Sequence, residues 1–553
     1  MAVDRAGAGA GNLGHYDTIV LGAGIAGLAF ASRLLQANNT ESGANRLQIL
    51  EARDRIGGRI ASVHVHDCRL DTGANWIHGT GNTKRPNPLM DILPHKRYRT
   101  MKGSVLFQAP NGEHDFTGKN GGIAGGCLKE VSLDGAAHRT CPATAITSTN
   151  SDGGLSIPAH EAGLILSCLH NAIGEVQDLA ATIPTKAAKH MSILRALVGT
   201  KAFQDAFELV PRECHRTLGA LFQGIESMEA APLLAQTTEP GRPESEPGLG
   251  LLEYAVDDFE GEQAFLQDGY VAIIDEIAKP LVETGAIALE AVVTRVDWTG
   301  SPIVIETSRG NFTAREVVCT LPLGVLKDSG TNALFVPNLP ADKQEAIEGL
   351  GFGTLDKVFA IYTRPWWNYE PYSSVIKNAL IQTEIRGEND LPDSFLGFAS
   401  ELSGISVGHD GSVSPDVYRL PVINLHTLTG QPVLCAFVSC NTATAIEGMK
   451  DEDVSGLFHR TLTQWFGIEP PRPDAVHVTR WAQDPYSRGA YSHMITGLSE
   501  FRHRETLQEP IINEMGGVLR FAGEHCSRDH FATVHGALLD GWRAADKSLQ
   551  HSQ

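Results

Sequence analysis

What this chain lacks narrows its role before any motif is read. No segment approaches the ~18–20 consecutive apolar residues that a membrane span requires, so no span is expected. Residues 1–15 are rich in Gly and Ala but hold no sustained apolar stretch of a secretory leader, and the last three residues, His-Ser-Gln, are not a Ser-Lys-Leu address. The expectation is a flexible tail over 1–15 and cytoplasmic residence. Basic residues are scarce: Lys plus Arg number 45 against 65 Asp plus Glu, a net charge of -20. That balance argues against a nucleic-acid surface and tilts toward a cationic small-molecule partner. The nine cysteines are scattered and show no Cys-x-x-Cys or zinc-ligand spacing, so no metal is expected and a reducing compartment fits. No internal repeat is present.

What remains is a globular composition, 42% hydrophobic and 20% charged. At 553 residues the chain exceeds the ~250–300 at which a single core stops growing, so at least two lobes are expected. The first element is a strand, Tyr16 to Leu21, followed by a helical pattern from Ile25 to Leu35 and a second strand at Leu47 to Leu50. This is a β-α-β unit with parallel strands. Residues 79–154 are rich in Gly, Asn, Pro and Thr and read as loop. Helical faces return at Glu161 to Ala180 and Ile193 to Leu209, their apolar stripes serving as core. Thr237 to Gly250 reads as an exposed connection, and Leu402 to Ser414 as a Gly- and Ser-rich loop. Between them a helix is predicted over Gly269 to Val282, with strands over Ile287 to Trp298, Ile303 to Thr307 and Glu316 to Thr320.

Gly22, Gly24 and Gly27 form a Gly-x-Gly-x-x-Gly turn directly after the first strand, with Ile25 and Ala26 opening the helix. Glycines there permit a tight turn, close backbone approach to a pyrophosphate and close helix–strand packing, and the helix N-terminus offers N–H donors to the anion. Glu51 closes the second strand, where an acidic side chain accepts hydrogen bonds from ribose hydroxyls.

The next stretch, Glu51-Ala52-Arg53-Asp54-Arg55-Ile56-Gly57-Gly58-Arg59, is similar to the second fingerprint of the flavin amine oxidase family. Arg53 and Arg59 suit forked hydrogen bonds to phosphate, and the paired glycines let backbone pass close to a cofactor. The resemblance continues at Gly73-Ala74-Asn75-Trp76-Ile77-His78-Gly79, similar to the segment running past the flavin ring in polyamine oxidases. Its Trp-Ile-His-Gly core resembles the animal acetylpolyamine and spermine oxidases, which implies that His78 faces the substrate and helps keep an amine neutral. Val293, within Val292-Val293-Thr294-Arg295-Val296, falls where the family's backbone meets the adenine. Gly353-Thr354-Leu355-Asp356-Lys357-Val358 resembles the family's lysine segment, implying that Lys357 holds a water at flavin N5. Arg480-Trp481 and Asp484 to Ser492 match the block carrying an aromatic wall, with Tyr491 at the wall position. Ala490 stands where monoamine oxidases carry the cysteine tied to the flavin, so the implied FAD is non-covalent. Gly523-Glu524 corresponds to the family's contact with the ribityl or phosphate region, and Thr533-Val534 to the start of a helix directed at the flavin pyrimidine. Leu355 and Thr533 replace aromatics of the plant enzymes, Thr533 agreeing with the animal branch.

The resemblance implies a Rossmann-like α/β FAD-binding domain with a discontinuous α+β substrate domain. The expected division is 16–80, 262–330 and 475–550 for the cofactor, 81–261 and 331–474 for the substrate. The implied reaction is hydride transfer from a polyamine (spermine, spermidine or an acetylated form) to flavin N5, hydrolysis of the imine to aldehyde and amine, and reduction of O2 to hydrogen peroxide. Oxidation of another secondary or cyclic amine, a histone-tail demethylase and a non-catalytic flavin-binding protein stay open. Asp257, Asp258, Glu260 and Glu262 read as a solvated charge run.

Overall fold

Ile19, Val20 and Leu21 have no accessible surface, the condition of a parallel strand covered on both faces. Alternation splits them: Ile19 and Leu21 enter one core, Val20 the other. In the computed structural model, which describes residues 12–38, 46–92, 98–100, 104–106, 159–209, 224–233, 248–328, 334–379, 393–399 and 418–552, this strand spans Asn12–Leu21. It therefore begins inside the expected tail, its first residues pairing with the Gly310–Cys319 strand.

Five parallel strands form the centre of a nine-stranded sheet, in the order Ile287–Ala288, Leu47–Leu50, Asn12–Leu21, Gly310–Cys319, Val518–Phe521. Antiparallel strands Ile303–Thr307 and Val293–Asp297 extend it along the first half of Gly310–Cys319. The long helices Ile25–Asn38, Val271–Glu283 and Val534–Ser552 cover one face. The last of these lies so close to the first that a Cβ on Gly541 would sit 2.3 Å from the Ala26 carbonyl oxygen. Segments far apart in the chain thus build one Rossmann-like α/β unit.

A second sheet of six strands, in the order Ala475–Val478, Leu355–Ile361, Val433–Ser439, Tyr418–Asn424, Ser394–Ala399, Ser104–Leu106, is antiparallel except for its last pair. A helical layer, Ala159–Thr182 with Ile193–Gly199 and Lys201–Leu209, buries Leu169, Ala172, Val176 and Ala180 along one stripe.

Several boundaries differ from expectation for local reasons. The single strand expected over Ile287 to Trp298 is two, because Glu290 adopts φ +57° and the backbone there turns to hydrogen-bond Arg53 and Glu51. The helix expected over Ile193 to Leu209 breaks at Thr200, whose hydroxyl caps the second piece by accepting from the Phe203 amide. Gly269, at φ +85°, belongs to the turn before its helix, which starts at Val271. Within the expected 79–154 loop lie a short helix, Pro88–Ile92, and the strands Tyr98–Thr100 and Ser104–Leu106. Residues 107–158 and 234–247 and the Leu402 to Ser414 loop lie outside the described residues.

Candidate active site

The glycine turn is built by backbone rather than side chains. Gly22 adopts φ +102°, and its amide donates to the Leu50 carbonyl at 2.8 Å. A Cβ on Gly27 would stand 2.1 Å from the Gly22 carbonyl oxygen, so the helix reaches the strand only with glycine there. Gly24 differs: a Cβ would meet no protein atom within 4 Å. It pairs with Gly57 in an isolated bridge, and Gly58 lies against its Cα, so backbone from two fingerprints faces the same space. Ile25 and Ala26, just behind, are core. Glu51 is buried at the strand end. Its carboxylate accepts the Ala23 amide at 2.7 Å and the Arg53 amide at 2.9 Å; burial raises its pKa against the pull of those two amides.

Beyond Ala52, the Arg53 guanidinium forks onto Asp484 at 2.7 and 2.9 Å, bonds the Ser487 hydroxyl and lies over the Tyr486 ring. Arg53 therefore ties the second fingerprint to the C-terminal block. Arg59 does the same through Glu524 Oε1 at 3.0 Å and the Ala490 carbonyl at 2.5 Å. Glu524 Oε2 also accepts the Ser492 hydroxyl at 2.7 Å and the Ala532 amide at 3.0 Å. Burial alone would raise Glu524; Arg59, His525, Ser492 and Arg504 overcome it and hold the carboxyl at about 2. The adjacent Gly523 amide donates to Asp540 at 3.0 Å.

Lys357 is 4% exposed and reaches across from the second sheet, donating to the Asp71 carbonyl at 2.9 Å and the Gly73 carbonyl at 2.5 Å. Burial lowers its pKa, with Cys435 and Asp71 opposing. Trp481 grips the same segment, its indole N–H donating to the Thr72 carbonyl at 3.1 Å. Gly73 leaves no room for a side chain, a Cβ standing 1.7 Å from the Arg59 carbonyl oxygen. From this clamp Ala74 and buried Asn75 lead into Trp76, which packs edge-on against Phe265 at 5.0 Å. Val293 follows the turn that bonds Glu51 and Arg53, at a register shift in its strand.

Tyr491 has its backbone pinned to Gly353 and its hydroxyl donating to the Met228 carbonyl at 2.8 Å. Thr533 caps the C-terminal helix by accepting the Gly536 amide at 2.9 Å, and Val534 is that helix's first residue.

His78 bonds Gln263 Oε1 at 2.7 Å; its ring carries accessible surface, yet the surrounding protein lowers its pKa by desolvation, as for a residue lining a recess. Behind it lies a cluster. Asp258 Oδ1 meets His530 Nδ1 at 2.9 Å and His535 Nε2 at 3.0 Å. The three offer ligand atoms within 4.8 Å of one another. The outer ring nitrogens, however, face donors: the Asn87 amide at His535 and Arg85 at His530. The inner nitrogens thus carry the protons, and the group is a hydrogen-bond hub around a carboxylate. Burial opposes the charge on Asp258, but the two histidines hold its pKa below the ordinary value. The acidic run is solvated as expected at Asp257, Glu260 and Glu262, which are exposed, Asp257 pairing with Arg85 at 2.7 Å and Glu260 accepting from Asn82; Asp258 departs from the expectation as the half-buried hub.

Sequence reasoning missed a second acidic group. Glu226 and Glu229 lie on the helix Gly224–Glu229, whose last turn carries the Met228 carbonyl that Tyr491 bonds. Burial raises each to about 7. Tyr254 donates to Glu229 at 3.1 Å, and burial, then the nearby Glu229 charge, raise the buried Glu253 well above its ordinary value. The i, i+3 spacing of Glu226 and Glu229 was the available signal.

Comparison with known proteins follows the same pattern. The flavin containing amine oxidoreductase family matches residues 229–548, and an NAD(P)-binding Rossmann-like domain matches residues 20–93. A Bos taurus peroxisomal N(1)-acetyl-spermine/spermidine oxidase is 27% identical over 96% of this chain and 94% of its own. A possible lysine-specific histone demethylase 1 of Drosophila melanogaster is also 27% identical, over 96% of this chain but 62% of its own. A solved structure of putrescine oxidase bound to putrescine shares the fold, with TM-score 0.59 and 19% identity over 97% of this chain and 99% of that one. Among the described residues no helix is long and apolar enough to cross a membrane.

Proposed function

Because the chain belongs to the flavin containing amine oxidoreductase family and is an FAD-dependent amine oxidase, we propose that its substrate is a polyamine such as spermine, spermidine or an N-acetylated form. The cofactor fits the residues present. Gly24 and Gly58 bring bare backbone to one space at the start of a 14-residue helix, the arrangement that receives a pyrophosphate, while Glu51 ends the neighbouring strand. When bound, the flavin supplies a hydride acceptor and passes the electrons on, by this reading to O2 with release of hydrogen peroxide.

The observation that carries the polyamine reading is the carboxyl group beside Tyr491. Glu226 and Glu229, held near neutrality at about 7 by burial, ionise when an ammonium comes to rest against them. A substrate with one cationic end has no use for such a site; a polyamine places one nitrogen there and presents another for oxidation. Tyr491 and Trp76 wall the reacting end, and His78, with its lowered pKa, accepts a proton from the incoming amine or holds it neutral. The Lys357 ammonium has three donors, two taken by Asp71 and Gly73, and the third holds a water where the reaction occurs. Arg53, Arg59, Val293, Gly523, Glu524, Thr533 and Val534 serve the cofactor, chiefly by locking its two fingerprints to the C-terminal block. The proposed domain division keeps 16–80, 262–330 and 475–550 against 81–261 and 331–474, with three edges moved by strand pairing: Asn12–Leu21 and Phe335–Val336 belong to the cofactor sheet and Ala475–Val478 to the second sheet. Cytoplasmic residence is part of the same proposal, and cell fractionation against a peroxisomal marker tests it.

The deciding experiment mixes the FAD-loaded enzyme anaerobically with spermine, spermidine, their acetylated forms and simple monoamines, following bleaching of the flavin. Polyamines are expected to bleach it and release peroxide on admission of air. Glu229→Gln is expected to raise KM for polyamines about tenfold, roughly the contribution of one charge-assisted contact, and to spare monoamines. Bleaching by monoamines alone, or by none of the panel, overturns the polyamine assignment.

A further inference from the structure

Directly behind Lys357 two acidic side chains meet in the interior. Asp356 has no accessible surface and Glu447 is 4% exposed. Strand alternation turns Asp356 away from Lys357: Val358 and Ala360 share its face, whereas Phe359 and Ile361 share that of the lysine. Asp356 Oδ1 accepts the Thr479 hydroxyl at 2.6 Å and the Trp481 amide at 3.1 Å, and the Thr479 oxygen accepts the Lys357 amide at 2.8 Å. Glu447, ending the helix Cys440–Glu447, accepts the Ala482 and Gln483 amides at 2.7 and 3.0 Å. Asp356 Oδ2 has no amide, amine or alcohol donor among the described residues. The neighbouring acid is Glu447: the two carboxyl groups accept from the consecutive amides of Trp481, Ala482 and Gln483, which sets them side by side.

Two carboxyl groups hydrogen-bond only by sharing a proton, since ionised carboxylates have no donor and repel. We infer that Asp356 and Glu447 form a proton-bridged pair that positions Trp481 and Lys357, and that removal of the shared proton loosens the strand segment both of them grip. The mechanical link is short. Trp481 donates to the Thr72 carbonyl and Lys357 to those of Asp71 and Gly73, so both partners of the pair's network hold residues 71–73, the lead into Trp76.

The charged groups around the pair do not replace the proton. Arg480 turns its guanidinium to Asp451 and to the carbonyls of Glu447, Met449 and Val478, and Lys357 points from the opposite face. The facing residue on the neighbouring strand, Val438, is apolar. Burial first, and then the Glu447 carboxyl, push Asp356 up to about 8. A raised carboxyl pKa means that the bridge is intact at neutral pH and is lost as pH rises through about 8.

The test uses the FAD-loaded enzyme and has two arms, the second of which rests on the amine-oxidase reading. In the first, the infrared difference between wild type and Asp356→Asn or Glu447→Gln, which cancels the other raised carboxyls, is expected to show at pH 7 a protonated-carboxyl band of wild type that disappears as pH rises through about 8. Backbone hydrogen exchange over residues 71–76 should accelerate over the same interval in wild type relative to Asp356→Asn, because asparagine donates to Glu447 without titrating. In the second arm, the rate of flavin reduction in Asp356→Asn is divided by that of wild type at each pH, which cancels ionisation of the substrate. The ratio is expected near one at pH 7 and to rise about threefold or more above the bridge's pKa. Should Asp356→Asn fail to fold, Glu447→Gln carries the infrared arm, since its carboxamide cannot share the proton; having only one oxygen for the Ala482 and Gln483 amides, it is not used for exchange or rates. Absence of the band from wild type, or relative exchange that does not change with pH, overturns the inference. A titrating band and exchange in an enzyme that no amine reduces would leave the pair standing and remove the amine reading.

Discussion

Glu524→Gln isolates the charge on which the meeting of the two fingerprints and the C-terminal block depends. The carboxylate is 4% exposed and receives Arg59, the Ser492 hydroxyl and the Ala532 amide, while the fully buried Arg504 reaches the same Ser492 hydroxyl at 2.9 Å. It is held at about 2 against an ordinary 4.5, and at ~1.36 kcal/mol per tenfold change in proton affinity the difference is worth about 3 kcal/mol. That agrees with the ~3–5 kcal/mol cost of removing one member of a buried charge pair. A depressed carboxylate pKa contributes stability that is fully present above pH 4.5 and lost as pH falls toward 2. Spread over an unfolding entropy of ~2.1 cal/mol/K per residue, the variant should therefore melt roughly 2–3 °C below wild type at pH 7, the gap narrowing on acidification because only wild type has this contribution to lose. FAD affinity should fall with it, since Arg59 loses its partner and Ala490 its fixed position. Thermal unfolding of the FAD-free protein from pH 7 to pH 3, with a parallel flavin titration, measures both. Equal melting temperatures at pH 7, or a gap unchanged at pH 3, would refute the reasoning.

Gly24→Ala and Gly27→Ala separate cofactor space from packing. The first adds a methyl to open space and is expected to weaken FAD binding while leaving apoprotein stability within ~0.5 kcal/mol; the second drives a Cβ to 2.1 Å from Gly22 O and should cost ~1–3 kcal/mol in the FAD-free protein, read by chemical denaturation. Lys357→Met removes both carbonyl contacts and the remaining donor, and should slow flavin reduction or reoxidation at least ~10-fold in stopped-flow measurements, rates equal to wild type disproving its assigned role. With Ala490 offering no thiol, acid precipitation should leave all the flavin in the supernatant; flavin retained by the pellet would show a covalent link.

Much of the cofactor region was legible along the chain because its requirements are local. A strand that ends in a glycine turn, a helix that needs its third glycine to reach the strand, and an acidic residue at the next strand's end are relations over a few residues, set by backbone conformation and side-chain size. The helical stripe through Leu169, Val176 and Ala180 was legible for the same reason, as a periodicity. Less local features were misread. Asp258 looked like one more solvated member of its acidic run because His530 and His535, which make it a hub, lie more than two hundred residues away. The break at Glu290 answers hydrogen-bonding groups on Arg53 and Glu51 that no neighbouring residue announces.

The sequence by itself thus determined the Rossmann-like unit, its glycine-lined turn and the flavin amine oxidase character, since these depend on short-range sterics and on an ordered set of motifs. Tertiary structure alone decided which charges meet. Arg53 turns to Asp484, Arg59 to Glu524, Lys357 to the carbonyls of Asp71 and Gly73, and Asp356 to the Thr479 hydroxyl and the Trp481 amide. The physical reason is desolvation: a charged group's partner and protonation state are set by what packing brings within hydrogen-bond reach as water is excluded, and residue type along the chain does not carry that information.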